Sequence, residues 1–193
     1  MKLSDCTSLF KDGHLSLYRL RYINREGNQS AWTLASREKA GPKCMTGQLG
    51  SADAVVIVPY HRERRQLIII REFRVALGGF QYGFPAGLID PGESVETAVC
   101  RELFEETGLT VVRHLRHSPV VFTSSGITDE SVVMAYVMCT GDPSDSGNSA
   151  SEQIETHFVG PAEAERLCRD HTILMDVKTW LVLSGFAAGG FVG

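Results

Sequence analysis

Residues 87–109, GLIDPGESVETAVCRELFEETGL, set three carboxylates along one short helix just ahead of a glycine stop. Ser94 follows the turn Asp90-Pro91-Gly92 and makes a good N-cap, because its hydroxyl can accept from a free N–H of the first turn. Gly108 suits the left-handed position that closes a helix. Nothing between them breaks a helix, so the spacing predicts one over 95–107. At about 100° per residue, Val95, Ala98, Val99 and Leu103 form one apolar stripe. Glu102 and Glu106 fall within the same arc, and Glu105 lies at its edge. Acids on an inward stripe, i,i+4 apart in the last turn, meet both their mutual repulsion and the negative end of the helix dipole. Left unpaired, they would destabilise the fold or be driven to protonate. Arg101 can pair with Glu105 at i,i+4 on the solvent side, but that leaves Glu102 and Glu106 needing a cation. Carboxylate oxygens with no His or Cys nearby favour a hard ion, Mg²⁺ or Mn²⁺, over zinc.

The remaining composition is that of an ordinary globular protein. The 193 residues are 43% hydrophobic and 22% charged, enough for one good core and a small accessory layer. A net charge of -4 argues against nucleic acid as the main partner, while small phosphorylated ligands stay open. Cys6, Cys44, Cys100, Cys139 and Cys168 are scattered and never spaced as a CxxC pair, which suggests reduced thiols in the cytoplasm. MKLSDCTSLFKDG lacks the apolar core of a signal peptide, and Asp176 and Lys178 interrupt the apolar stretch near the C-terminus. No membrane span is therefore expected.

Outward from the helix, the pattern predicts a β-hairpin from His14 to about Arg37, turning at Asn24–Asn28, then a glycine-rich linker from Lys39 to Ser51. A lone hairpin is marginal in water and must pack on something, its own core or a partner subunit. Ala52–Tyr60 and Gln66–Phe73 read as buried central strands. Residues 109–122, 131–140 and Ile154–Val159 read as further strands, with a polar loop from Gly141 to Ser151. Pro161–Arg169 reads as a helix with proline in its first turn, and a last helix is expected over roughly Leu174–Phe186.

Gly87, Glu93, Arg101-Glu102-Leu103, Glu105-Glu106 and Gly108-Leu109, at these spacings, resemble a complete Nudix box. The run REFRVALGGFQYGFPAGLIDPGE over 71–93 is similar to the ADP-ribose and ADP-sugar pyrophosphatase branch of that family. The resemblance implies an α/β class fold, an α/β/α sandwich around a mixed sheet, preceded by a small antiparallel β element. It implies a dimerisation element at 1–45, a hydrolase domain at 46–193, and a homodimer that exchanges its N-terminal sheets. It assigns metal binding to Glu102, Glu106 and the Ala86 carbonyl, with Glu105 a further catalytic contributor.

Arg74 would touch the phosphates or terminal ribose, Trp32 would stack on adenine, and Arg37 would reach the ligand. The alternatives are plain ones, since Trp32 also suits a hairpin core and Arg37 an exposed strand end. The branch uses a loop glutamate as base, for which Glu152 comes first and Glu155 second. One departure is that Ser124-Ser125-Gly126 stands where ADP-ribose hydrolases usually carry Ser-Pro-Gly. The implied activity is Mg²⁺-dependent cleavage of ADP-ribose or a related nucleoside diphosphate sugar to a nucleoside monophosphate and a sugar phosphate. GDP-mannose, NADH or a noncanonical nucleotide are alternative substrates, and a non-catalytic nucleotide sensor is the alternative of another class.

Overall fold

In the computed structural model, which describes residues 1–147 and 153–190, the chain runs β1 (Lys2–Lys11), β2 (Ser16–Ile23), β3 (Gln29–Ser36), α1 (Lys43–Thr46), β4 (Ala54–His61) and β5 (Gln66–Arg74). It continues through β6 (Gly79–Gly83), β7 (Ala86–Leu88), α2 (Val95–Thr107), β8 (Thr110–His117), β9 (Val121–Phe122) and β10 (Ser131–Thr140), and ends in β11 (Ile154–Val159), α3 (Pro161–Arg169) and α4 (Val177–Ala187). Two compact units result, Met1–Ala54 with Pro119–Val133, and Val55–Ser118 with Met134–Gly193.

The first unit holds a three-stranded antiparallel sheet in the order β1-β2-β3. Its β2–β3 hairpin turns where the sequence indicates: Asn24 Oδ1 accepts from the N–H groups of Glu26 at 3.0 Å and Asn28 at 2.9 Å. Alternation along β2 buries Ser16, Tyr18 and Leu20 and exposes the residues between them. The third strand, β1, adds to the expected hairpin. Its side chains are exposed almost throughout, so no burial period marks it in the sequence. The expected linker contains one short helix, α1, anchored by Lys43. Only 1% of Lys43 is exposed, and its ammonium meets Asp53 at 2.8 Å, Ser131 Oγ at 2.7 Å and the Ser51 carbonyl at 2.5 Å. All three ammonium donors are thereby used.

The second unit is built on a mixed sheet with the strand order β11-β5-β4-β10-β8, where β6 joins β5 and β7 joins β4. Ala98, Val99 and Leu103 of α2 are fully buried against Val55, Ile57, Ile68, Ala135 and Val137. Val99 and Leu103 each contribute roughly 1.5–3 kcal/mol through burial, so the apolar stripe fixes which way α2 faces. Ile68 lies opposite Phe158 across β5 and β11, and Phe158 packs on the same core. Three residues along each strand, Arg71 and Glu155 also lie opposite each other and so point to the other face.

Several boundaries differ from expectation. Pro119 falls in the gap that divides the 109–122 run into β8 and β9, since it has no N–H for a ladder. The last helix starts at Val177 because Asp176 caps it, its Oδ1 accepting from the N–H groups of Lys178 at 2.8 Å and Thr179 at 3.0 Å. Among the described residues no helix is long and apolar enough to cross a membrane.

Replacing Lys43 by alanine leaves Asp53 buried without its cation. The expected loss is about 3–5 kcal/mol of stability in urea unfolding. A change below about 1 kcal/mol would show that the pair is dispensable.

Candidate active site

Helix α2 begins and ends as the spacing indicates. Ser94 Oγ accepts from the Thr97 N–H at 3.1 Å, and Gly108 takes φ 73° while its N–H reaches the Phe104 carbonyl at 2.8 Å. On this helix Glu106 is 8% exposed and the Glu102 side chain 13%, whereas the Glu105 side chain is 47% exposed. The arc drawn from the apolar stripe therefore separates the three acids as expected.

The segment ahead of the helix comes up against it. Pro85 is pinned to the middle of β4 by the Ile57 N–H, which donates to the Pro85 carbonyl at 2.8 Å. One residue on, the Ala86 N–H donates to Glu106 Oε2 at 3.1 Å. At Gly87 a β-carbon would lie 1.9 Å from Glu102 Cδ, so only glycine lets that carboxylate rest on the backbone. The structure thus gathers Ala86, Glu102 and Glu106 around a single peptide link.

Arg101 organises the remaining charge. Its guanidinium donates to Glu93 at 3.0 and 2.8 Å, to Glu102 Oε1 at 2.7 Å, to Glu105 Oε2 at 3.2 Å and to the Leu88 carbonyl at 2.9 Å. The expected Arg101–Glu105 pair exists, but it is the longest of these contacts. The Arg101 guanidinium, helped by the Asp90 N–H, holds the Glu93 carboxyl down to about 2. The same carboxylates raise the arginine in turn.

Among the described residues no three His, Cys, Asp or Glu side chains are grouped to hold an ion. What α2 and β7 bring together is two carboxylates against the Ala86-Gly87 backbone, and carboxylate oxygens are hard donors of the kind that suit a divalent hard cation. Beside them lies a cavity of about 310 Å³ bordered by Glu106, Pro143, Ser144, Asp145, Ile154 and Glu155. Its loop is fastened to the end of α2. The Ser144 N–H donates to the Thr107 carbonyl at 2.9 Å, and a β-carbon on Gly147 would stand 2.5 Å from the Glu105 carbonyl oxygen. Asp145 is a carboxylate at this cavity that sequence reasoning missed, and only its place in a polar loop after a long strand hinted at it.

The remaining candidates are placed as follows. Glu152 lies outside the described residues. Glu155 borders the cavity, but Arg71 Nη1 holds both its carboxylate oxygens at 3.0 Å, and Arg71 itself lies over the Phe80 ring at 3.9 Å. Arg74 ends β5 with Nη2 on Glu72 Oε2 at 2.8 Å. Trp32 lies opposite Leu20 in the first unit and is 49% exposed. Arg37, also in that unit, is bound through Nε to Glu130 Oε1 at 2.6 Å.

With this geometry in view, the chain can be set beside known proteins. A model of the NUDIX domain matches residues 50–176. This chain belongs to the NUDIX family. A putative nudix hydrolase 2 of Caenorhabditis elegans is 32% identical over 142 residues, covering 63% of this chain and 64% of the relative. The mouse ADP-sugar pyrophosphatase is 33% identical over 132 residues, covering 66% of this chain and 55% of its own length. The chain thus spans less than two thirds of each of these NUDIX relatives. A crystal structure of an ADP compounds hydrolase superposes over 98% of this chain and 96% of its own, with a TM-score of 0.68 at 20% identity, a likeness of fold. NUDIX hydrolases generally use divalent metal ions.

Glu93 supplies a pH signature for the site. Its folded value, about 2, lies below the ordinary 4.5, so more protons bind the unfolded chain between these values. The stabilising contribution is whole above the ordinary value and is lost as pH falls through the folded one. Acid unfolding should show this component over that window in the wild type, and Glu93→Gln should lack it. Coincident acid transitions would contradict the Arg101 clamp.

Proposed function

We propose that this protein is a NUDIX hydrolase that cleaves the diphosphate of ADP-ribose or a related nucleoside diphosphate sugar, giving a nucleoside monophosphate and a sugar phosphate. The observation carrying this reading is the apposition of the Ala86-Gly87 link with Glu102 and Glu106. In it Glu102, Glu106 and the Ala86 carbonyl hold a divalent cation, Mg²⁺ or Mn²⁺. Such an ion, when bound, offsets negative charge on the diphosphate oxygens. The names of the mouse relative and of the structural neighbour support an ADP-bearing substrate.

The chain's own residues share the rest of the work. Arg74 presents its planar fork to the phosphates, a geometry that suits bidentate contact, while Glu72 holds one end of the guanidinium. Glu152 is the proposed general base for the attacking water, with Glu105 a secondary contributor at the rim. Trp32 takes the nucleobase on its exposed face, and Arg37 reaches the ligand on leaving Glu130. Residues 1–45 form a dimerisation element exchanged between two copies, ahead of a hydrolase domain at 46–193. The exposed Leu3, Leu9 and Phe10 of β1 support such an interface. Five free cysteines suit the reducing cytoplasm.

A second reading has one observation in its favour. Arg101 already sits 2.7 Å from Glu102, so its guanidinium can balance the acids of a binding module that does not turn substrate over. Glu106→Gln separates the two readings. With ADP-ribose, GDP-mannose and NADH offered in saturating Mg²⁺ and products resolved by chromatography, the wild type should release AMP and ribose phosphate. The variant should be slower by roughly 10²- to 10⁴-fold. Wild-type turnover by the variant would remove Glu106 from the site, and no turnover by either protein would favour the binding module.

A further inference from the structure

Trp32 borders two cavities of the first unit. One, of about 390 Å³, is apolar apart from Lys2 and Tyr22. The other, of about 260 Å³, carries Ser125, Thr128 and Asp129 beside Trp32 and Leu34. Both are built from residues of this unit alone. Trp32, Leu34 and Ser36 alternate onto one face of β3, and Ser36 Oγ donates to Asp129 Oδ2 at 3.1 Å. A continuous row therefore leads from the tryptophan to the aspartate.

The two oxygens of Asp129 are in different states. Oδ2 also accepts from the Lys43 N–H at 2.7 Å, so it is fully engaged. Oδ1 is sealed from solvent and has no hydrogen-bond partner. A buried acceptor left this way is costly, more so when it carries charge, and its presence in a folded protein calls for a reason. Asp129 borders the second cavity, and a turn about its broad terminal torsion is what brings Oδ1 to a donor entering there.

We propose that Asp129 reads the nucleobase: its Oδ1 accepts an N–H from the 6-amino group of a purine lying on Trp32. The inference rests on the assignment of Trp32 to the base in the function proposed above. Since Oδ2 is already occupied, the carboxylate offers one acceptor, which matches the amino edge of adenine. Guanine, with two adjacent donors, is met only in part. Hypoxanthine turns a carbonyl oxygen toward the carboxylate, so two acceptors face each other. A site built to bond a substrate N–H rejects analogues that lack it, because its own buried group is then left unpaired.

The test compares kcat/KM for ADP-ribose with that for its hypoxanthine counterpart. A hydrogen bond to a charged acceptor predicts a wild-type preference of about ten- to a hundredfold for ADP-ribose. In Asp129→Asn the Lys43 N–H keeps the amide oxygen in the Oδ2 position, which leaves the NH₂ in the place of Oδ1. The preference should then fall by about tenfold or more, toward or past unity. A ratio is insensitive to the fraction of the variant that folds. On the wild type alone, an ADP-ribose analogue with hydrogen in place of the 6-amino group should lose about tenfold or more. An unmoved ratio in the variant, or full turnover of that analogue, overturns the proposal. Trp32→Ala should weaken binding of every base alike. If it does nothing, the stacking assignment falls and this proposal with it, whereas a Trp32 effect beside an unmoved ratio overturns this proposal only.

Discussion

Everything at this site depends on one close approach, the carboxylate of Glu102 resting on the backbone of Gly87. A methyl group there would overlap the carboxylate, so residue identity at 87 decides whether Glu102 can rest on this backbone. Two further constraints hold them together. Pro85 is fixed to β4 through the Ile57 N–H, and α2 is fixed to the same sheet by Ala98, Val99 and Leu103. A core of ordinary aliphatic packing thus delivers two acids to the Ala86-Gly87 backbone with little freedom to drift. That is how a site avoids the loss that follows from ligands placed even an ångström away.

Electrostatics alone would argue against this arrangement. Glu102 and Glu106 sit at i,i+4 in the last two turns of a helix, where neither position favours a negative charge. The fold answers with Arg101, which reaches Glu93, Glu102, Glu105 and the carbonyl that ends β7. A fork with five donors can serve several acceptors at once, which a lysine could not do in this geometry. Glu106 is instead satisfied in part by the Ala86 N–H. The site is therefore a balanced charge network in which Glu102 and Glu106 meet neighbouring residues of one backbone segment, and that balance makes a deeply buried acid tolerable.

Most of the helix was legible in sequence because each of its devices is local. A capping serine, a terminal glycine and a period of 3.6 residues leave marks on neighbouring positions, and they correctly sorted Glu102 and Glu106 from Glu105. The hairpin between β2 and β3 was legible for the same reason. What escaped reading was non-local. The strand β1 buries no periodic face, so nothing in its composition announces it. Asp145 and the Ser144–Thr107 bond depend on a loop folding back onto a helix more than thirty residues earlier. The partnership of Lys43 with Asp53 and Ser131 likewise joins distant segments, and Lys43 had looked like one more linker residue.

The central claim is that the Gly87 backbone, Glu102 and Glu106 together make a site for a hard divalent cation. Its most direct test is a binding isotherm for Mn²⁺, followed by the loss of the free-ion paramagnetic resonance signal, on the wild type and on Gly87→Ala. Circular dichroism would confirm that both proteins are folded. Since groups that orient a ligand typically control metal affinity by about 10- to 100-fold, the account predicts at least a tenfold weaker Mn²⁺ isotherm for Gly87→Ala. Equal affinity in the two proteins would mean that the carboxylate need not rest on that backbone, and would contradict the account.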